Sequence, residues 1–394
     1  MAVQQPTTQR YAGPIAAVLA ALAVLGALWH AAYHTPQVAA GPTQADADAA
    51  AAWRTAQVRV VDGSITVSRY SDAPGFALLD LAVPRDQLYD LPPAKDEIIA
   101  LHRPGVKVVG PAAATWLHDD DLVFGIQLYG RKRCYPRNVL ARHSVINDEL
   151  AGEPILLYFD PPSGAAMAFI RPAGAAGAHE FAVSGVGYGG MGLLYDWQTQ
   201  GLWYPLGRME LGVAEPISGP LRGRNAALKQ MPGEWMTWAA WRKLWPDTTV
   251  LSRDTGYAYD YSFDPYTRVQ GPDGRPLNYY ESDLLLAPER LSDAGAVMPD
   301  KTDVLGVRVG NRALAIPVAE AFAAVSAGPR TFTRDSSLGQ LKLHVDAPAQ
   351  RVYLTMAGNV TPTQLRIFWY AWRFRCPDTQ LWRFQGDTKQ ENRS

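Results

Sequence analysis

Trp238 to Thr248 reads WAAWRKLWPDT, and Trp369 to Thr379 reads WYAWRFRCPDT. Both begin with W-x-x-W and end with P-D-T, at a constant offset of 369 − 238 = 131. Trp235, Trp238, Trp241 and Trp245 fall within roughly 120° on a 3.6-residue wheel, which predicts a helix with one aromatic face. Proline cannot continue a helix, so Pro-Asp-Thr predicts a stop and then a strand. Cys376 stands where the first copy has Trp245, which places its thiol on the buried face.

Upstream of each tryptophan helix lies a second matching pair. VFGIQLYGRKRCYP, Val123 to Pro136, aligns with VLGVRVGNRALAIP, Val304 to Pro317, at an offset of 304 − 123 = 181. Apolar and polar residues alternate around a Tyr-Gly or Gly-Asn turn, the pattern of a β-hairpin ending at a proline. A short helical stretch is expected after each. A strand match follows: ILLYFD, Ile155 to Asp160, against LKLHVD, Leu341 to Asp346. The offsets differ by 181 − 131 = 50, so the first copy carries an insertion of about that length, placed in the Gly-rich region Ser184 to Gly219. Repeats this long are not a solenoid, whose periods are ~20–50 residues. The expected fold is α+β: a β-rich, pseudo-symmetric body from an internal duplication, preceded by an N-terminal transmembrane helix. The expected organisation is a cytoplasmic N-terminus at 1–10, an anchor or signal segment at 11–33, a linker at 34–52 and a lead-in at 53–120. Repeat 1 spans 121–255 with its insertion, a connecting segment 256–300, repeat 2 301–385 and a tail 386–394.

The membrane expectation rests on Tyr11 to Tyr33, an apolar run without Asp, Glu, Lys or Arg. A span needs roughly 20 apolar residues, and Arg10 on its N-terminal side favours that end in the cytoplasm. A cleaved signal peptide is the rival, because Val38-Ala39-Ala40 before Gly41 resembles a small-residue cleavage site. Either reading puts the rest of the chain outside the cytoplasm, in the periplasm. The 394 residues are 47% hydrophobic and 19% charged, enough for a sizeable core. With 37 basic and 38 acidic residues the net charge is −1, which argues against nucleic acid as the main partner. The basic cluster Arg131-Lys132-Arg133 reads as a solvated strand edge or turn. Cys134 and Cys376, the two cysteines, fit no zinc or CxxC spacing; they read as separate buried thiols, with a disulfide between them in an oxidising compartment as the alternative.

Taken together, several motifs resemble the domain-of-unknown-function 3179 family of bacterial proteins and selenoproteins, over most of Asp96 to Leu381. They are YPRNVLARHSVIND from Tyr135, FAVSGVGYGGMGLLYDWQTQGLW from Phe181, WAAWRKLWPDTTVLS from Trp238, TGYAYDY from Thr255 and IFWYAWRFRCPDT from Ile367. The resemblance implies a Y-C-P-L-C-G turn where this chain reads YFDPPSG, Tyr158 to Gly164. In the family one position of that turn is sometimes selenocysteine, which implies redox or soft-metal chemistry. Here Asp160 and Ser163 stand in the chalcogen positions, and neither can form a disulfide or favour a soft metal. The chain is identified as a divergent member without the C-P-L-C motif.

The candidate binding residues are His143, Asn147, Asp148, Asp160, Ser163, Tyr188, Asp196, Tyr257 and Asp260. His143 with Asp160 is the candidate metal pair; against it stand a helix-end histidine, Asn147-Asp148 as a turn, and Pro161 to Gly164 as a rigid loop. Asp196 reads as a hairpin residue bonding inside its own turn. The glycines around Tyr188 match neither a P-loop nor a dinucleotide fingerprint. Tyr257 and Asp260 belong to an aromatic stretch that would stack on a planar ligand or cover the core edge. Lys301 matches a family lysine. No cofactor is indicated. The expected function is a membrane-anchored extracytoplasmic binding or assembly component without thiol redox chemistry, with an envelope protein as partner. The alternative is a metal-assisted hydrolase or cofactor-dependent oxidoreductase using His143 and Asp160.

Overall fold

The computed structural model describes Phe76 and residues 80–384, apart from 92–93, 104–105, 172, 175–176, 225, 271–274, 289–290, 293–296, 326–327, 337 and 358–360. The segments 1–10, 11–33, 34–52 and 386–394 lie outside the described residues, as does all of 53–75. Among the described residues no helix is long and apolar enough to cross a membrane.

The chain first forms the hairpin β1 (Leu122–Leu128) and β2 (Arg131–Pro136). Tyr129 and Gly130 between them both take positive φ, 46° and 79°, as a tight two-residue hairpin turn requires. Pro136 then leads into α1 (Arg137–His143). A meander follows, made of β3 (Val145–Leu150), β4 (Glu153–Asp160) and β5 (Ala165–Ile170). Five strands extend it: β6 (Phe181–Tyr188), β7 (Met191–Asp196), β8 (Leu202–Arg208), β9 (Val213–Pro216) and β10 (Leu228–Met231). The chain returns as β11 (Gly233–Thr237), α2 (Trp238–Leu244) and β12 (Thr249–Leu251).

From residue 303 the same order recurs without the five extra strands. β13 (Asp303–Val309), β14 (Arg312–Pro317) and α3 (Val318–Ala323) precede the meander β15 (Arg330–Ser336), β16 (Gly339–Asp346) and β17 (Arg351–Met356). β18 (Thr363–Phe368), α4 (Trp369–Arg375) and β19 (Gln380–Leu381) close it.

The sheets pair alike. β11-β1-β2-β12 matches β18-β13-β14-β19, with β12 and β19 each parallel to its neighbour and the other pairs antiparallel. The described part of the lead-in supplies edges: Tyr89–Asp90 and Leu101–His102 flank the large meander sheet, and Val108–Val109 flanks β12.

Equivalent atoms do equivalent work in the two units. α2 and α4 are seven residues each, too short to persist alone, so their free N–H groups and aromatic faces need tertiary partners. Trp238 N and Ala239 N donate to Asp121 O and Asp119 O; Trp369 N and Tyr370 N donate to Thr302 O and Asp300 O. Trp241 Nε1 donates to Thr248 Oγ1 at 2.9 Å, and Trp372 Nε1 to Thr379 Oγ1 at 3.0 Å. Both indoles lie directly on a glycine of the neighbouring strand, Gly125 and Gly306, where a Cβ would fall at 2.0 and 2.3 Å from the ring. Only glycine permits that approach.

The units also exchange contacts. Ser163 O, in the turn after β4, accepts from Phe368 N at 2.7 Å in the second unit. Ala349 O, in the turn after β16, accepts from Thr237 N at 2.9 Å in the first.

Three sequence expectations are corrected. Trp235 lies on β11, not on the helix, which begins at Trp238 behind a Thr237 cap. Asn147 and Asp148 sit within β3, not in a turn, because Val145, Ile146 and Leu150 pair it into the meander core. Arg133 is not solvated; it is buried against Asp148.

Candidate functional site

The turn Pro161-Pro162-Ser163-Gly164 joins β4 to β5 with Asp160 and Ala165 paired at its base. Gly164 takes φ +71°, and its N–H donates to Pro161 O at 3.1 Å. Asp160 is 4% exposed and Ser163 fully buried. Asp160 Oδ2 accepts from Ser163 N at 3.2 Å, and Oδ1 lies 3.3 Å from Gly192 N and 3.1 Å from the Tyr158 hydroxyl. Burial pushes Asp160 up to about 6, against the hydrogen bonds from Ser163, Tyr158 and Gly192. Pro162 O accepts from Tyr279 and Tyr370, both at 3.0 Å. Beside the turn is a cavity of about 30 Å³, lined by Asp160, Tyr158, Ser144 and Tyr266 among others. That is water-sized. It does not admit an organic substrate.

His143 ends α1 and is fully buried. Nδ1 lies 2.7 Å from Ile99 O, which can only accept, so Nδ1 carries the proton. Nε2 therefore accepts from the Tyr261 hydroxyl at 2.6 Å, and Tyr261 accepts in turn from Thr255 Oγ1 at 2.6 Å. Burial holds the imidazole down at about 4. Tyr257, Tyr259 and Tyr261 surround it with ring centroids 5.5–5.8 Å away. Both nitrogens are engaged, as are both Asp160 oxygens. Among the described residues no three or more His, Cys, Asp or Glu side chains group as a metal site.

The remaining candidates do not join that turn. Asn147 clamps β6: its Oδ1 accepts from Phe181 N at 2.9 Å and its Nδ2 donates to Phe181 O at 2.8 Å. Asp148 gathers Arg103 at 2.8 Å, Arg133 at 2.5 Å and the Tyr135 hydroxyl at 2.8 Å. Asp196 bonds within its hairpin, to Thr199 N, Thr199 Oγ1 and Trp203 Nε1 at 2.7, 2.6 and 2.9 Å. Tyr188 packs edge-on against Tyr204 and Phe374. Asp260 is exposed and accepts from Ser262 N, which lowers its carboxyl. Lys301 donates to Tyr279 O and to Ser282 Oγ; burial lowers it to about 8. Cys134 and Cys376 are free, buried and in different core clusters, and burial raises both thiols.

One open site was missed from the sequence. A cleft of about 670 Å³ lies where the two units meet. Phe124, Ala166 and Trp235 come from the first unit, Leu305, Arg351, Tyr353, Leu365 and Arg366 from the second, and Lys229 from β10. At the repeat offset of 131, Trp235 and Arg366 are equivalent positions (366 − 235). That mismatch was the available signal, but only the fold puts both side chains in one cleft.

The geometry defines a β-rich protein of two interlocked sheet-and-helix units, with a buried turn at Pro161 to Gly164 and an open cleft at the junction. The chain belongs to the family described as "Protein of unknown function (DUF3179)", whose signature matches residues 95–336. No curated protein and no solved structure matches the chain.

Proposed function

We propose that this protein is a membrane-tethered, extracytoplasmic binding or assembly component that carries out no thiol redox chemistry. Tyr11 to Tyr33 would anchor it, and an envelope protein would be its partner. The observation that carries the reading is the sealed Asp160 turn. Its carboxylate and hydroxyl replace the family's chalcogens, all its oxygens are satisfied, and only a water-sized cavity adjoins it. The two cysteines support the same reading, since exchange needs an accessible thiolate and both thiols are buried and raised. We further read the two units as an internal duplication. Their common strand order, paired indole bonds and reciprocal turn contacts support it.

The test has two arms. The full chain should show no dithiol–disulfide turnover above the blank, and Cys134→Ser with Cys376→Ser should change nothing. Turnover that disappears in that double variant would refute the redox part. Pull-down from native membranes should yield a specific envelope partner. Recovery of the chain alone, in the soluble fraction, would refute the tethered assembly role.

A further inference from the structure

We propose that the junction cleft binds a small organic anion with a flat apolar body. Its volume of about 670 Å³ falls within the ~300–1,000 Å³ usual for small-molecule sites, which favour junctions between folded units. The lining is divided. Phe124, Trp235 and Met231, each under a tenth exposed, form an apolar floor, and Leu211, 62% exposed, forms the apolar lip. The charged lining residues are Lys229, Arg351 and Arg366 against the single carboxylate of Glu234.

Arg351 holds Glu234 by two bonds, 2.7 and 3.0 Å, and Arg366 Nε holds Asp303 at 2.9 Å. Those pairs neutralise each other and fix the guanidinium planes. Lys229 is different: it is exposed, and its ammonium makes no ion pair or hydrogen bond among the described residues. It is the cation left for a ligand. The two units break their likeness at this place, with an indole at Trp235 and a guanidinium at the equivalent Arg366. A neutral apolar ligand would draw no attraction from the exposed Lys229 ammonium at the cleft. A bare inorganic anion would leave the apolar lip at Leu211 wet. An aryl carboxylate satisfies both.

This inference rests on the reading of the chain as a binding component and names the chemistry of one site. The test is calorimetric titration of the full chain, in mild non-ionic detergent against a matched detergent blank. Naphthalene-2-carboxylate is the probe, with its neutral amide and inorganic phosphate as comparators. The expected result is saturable one-to-one binding of the carboxylate, at least tenfold tighter than the amide and than phosphate. Lys229→Glu should weaken the carboxylate at least tenfold and leave the amide and the melting temperature unchanged; Leu211→Ser should weaken both naphthyl ligands. Equal affinity for the amide, equal affinity for phosphate, indifference to Lys229→Glu, or no saturable binding would each overturn it. A redox-inert chain that captures an envelope partner yet fails this titration loses the ligand inference alone. A chain with thiol turnover and intact carboxylate binding loses the earlier reading alone.

Discussion

Gly125→Ala and Gly306→Ala should each lower stability by about 2–4 kcal/mol. A methyl at 306 would fall at 2.3, 2.5 and 2.6 Å from three atoms of the Trp372 ring; at 125 it would fall at 2.0 Å from Trp241. Carbon atoms rest at ~3.5–4.0 Å, so each ring must retreat by more than ~1 Å. Both indoles are fully buried, and each is pinned by its N–H to a threonine hydroxyl. A retreat of that size breaks the pin, worth about 1 kcal/mol, on top of about 1–3 kcal/mol for overpacking a core. Gly110→Ala is the control: φ is −75° and nothing lies within 4 Å of the new methyl. Alanine there restricts mainly the unfolded chain and should be neutral or stabilising by up to ~1 kcal/mol. Urea unfolding at constant slope gives the differences from the midpoints. If either core variant cost less than ~1 kcal/mol, or matched Gly110→Ala, the packing account of both units would be wrong.

Burial raises Asp160 from 3.8 to about 6, so between about pH 4 and 6 the folded protein keeps a proton that the unfolded chain has lost. Stability from this group is fully present below pH 4 and falls by roughly 3 kcal/mol as pH rises through 6. Asp160→Asn removes the slope; a difference between native and variant that stays flat over pH 4–6.5 contradicts it. His143 runs the other way: burial lowers it from 6.5 to about 4, so the unfolded chain takes up the proton first. Its contribution is present above pH 6.5 and is lost, by roughly 3 kcal/mol, as pH falls toward 4; His143→Gln should flatten that limb in the same unfolding series. Asp148→Ala strands the buried Arg133 guanidinium and should cost about 3–5 kcal/mol. A melting temperature within a degree or two of the parent would disprove that dependence. Cys134 and Cys376 should react with an aromatic disulfide reagent only in denaturant, and labelling of the folded chain at neutral pH would contradict their burial.

The repeated elements were legible because periodicity encodes them. Alternation around Tyr129-Gly130 is a local signal, and so is the proline that ends each hairpin. The extent of α2 was less so. Trp235 keeps helical phase with Trp238 and Trp241, yet β1 recruits it as a strand, and a wheel has no knowledge of a neighbouring strand. Asn147-Asp148 looked like turn chemistry because those types favour turns when nothing else binds them. In the folded chain Phe181 and Arg133 bind them, from 34 and 15 residues away. The cleft was illegible for the same reason: Lys229, Trp235, Arg351 and Arg366 share no local pattern and meet only after both units have interlocked.

That interlocking holds the Pro161 to Gly164 turn by its backbone. The contacts that matter most at Pro161 to Gly164 are made by main-chain atoms. Ser163 O receives Phe368 N, and Pro162 O receives two tyrosine hydroxyls. The counterpart turn after Asp346 does the same with Ala349 O and Thr237 N, and no cysteine motif was expected there. In both turns the leading aspartate accepts from the backbone N–H three residues on, Ser163 N at 3.2 Å and Ala349 N at 3.2 Å. Asp160 closes that small ring with Oδ2, and with Oδ1 it also reaches the Tyr158 hydroxyl at 3.1 Å and Gly192 N at 3.3 Å. The docking of one unit on the other at this turn runs through main-chain atoms and not through the side chains of Asp160 and Ser163. The side chains left free to specialise are those outside the lock, and Trp235 and its equivalent Arg366, which line the same cleft, are one place where the two units differ in chemistry.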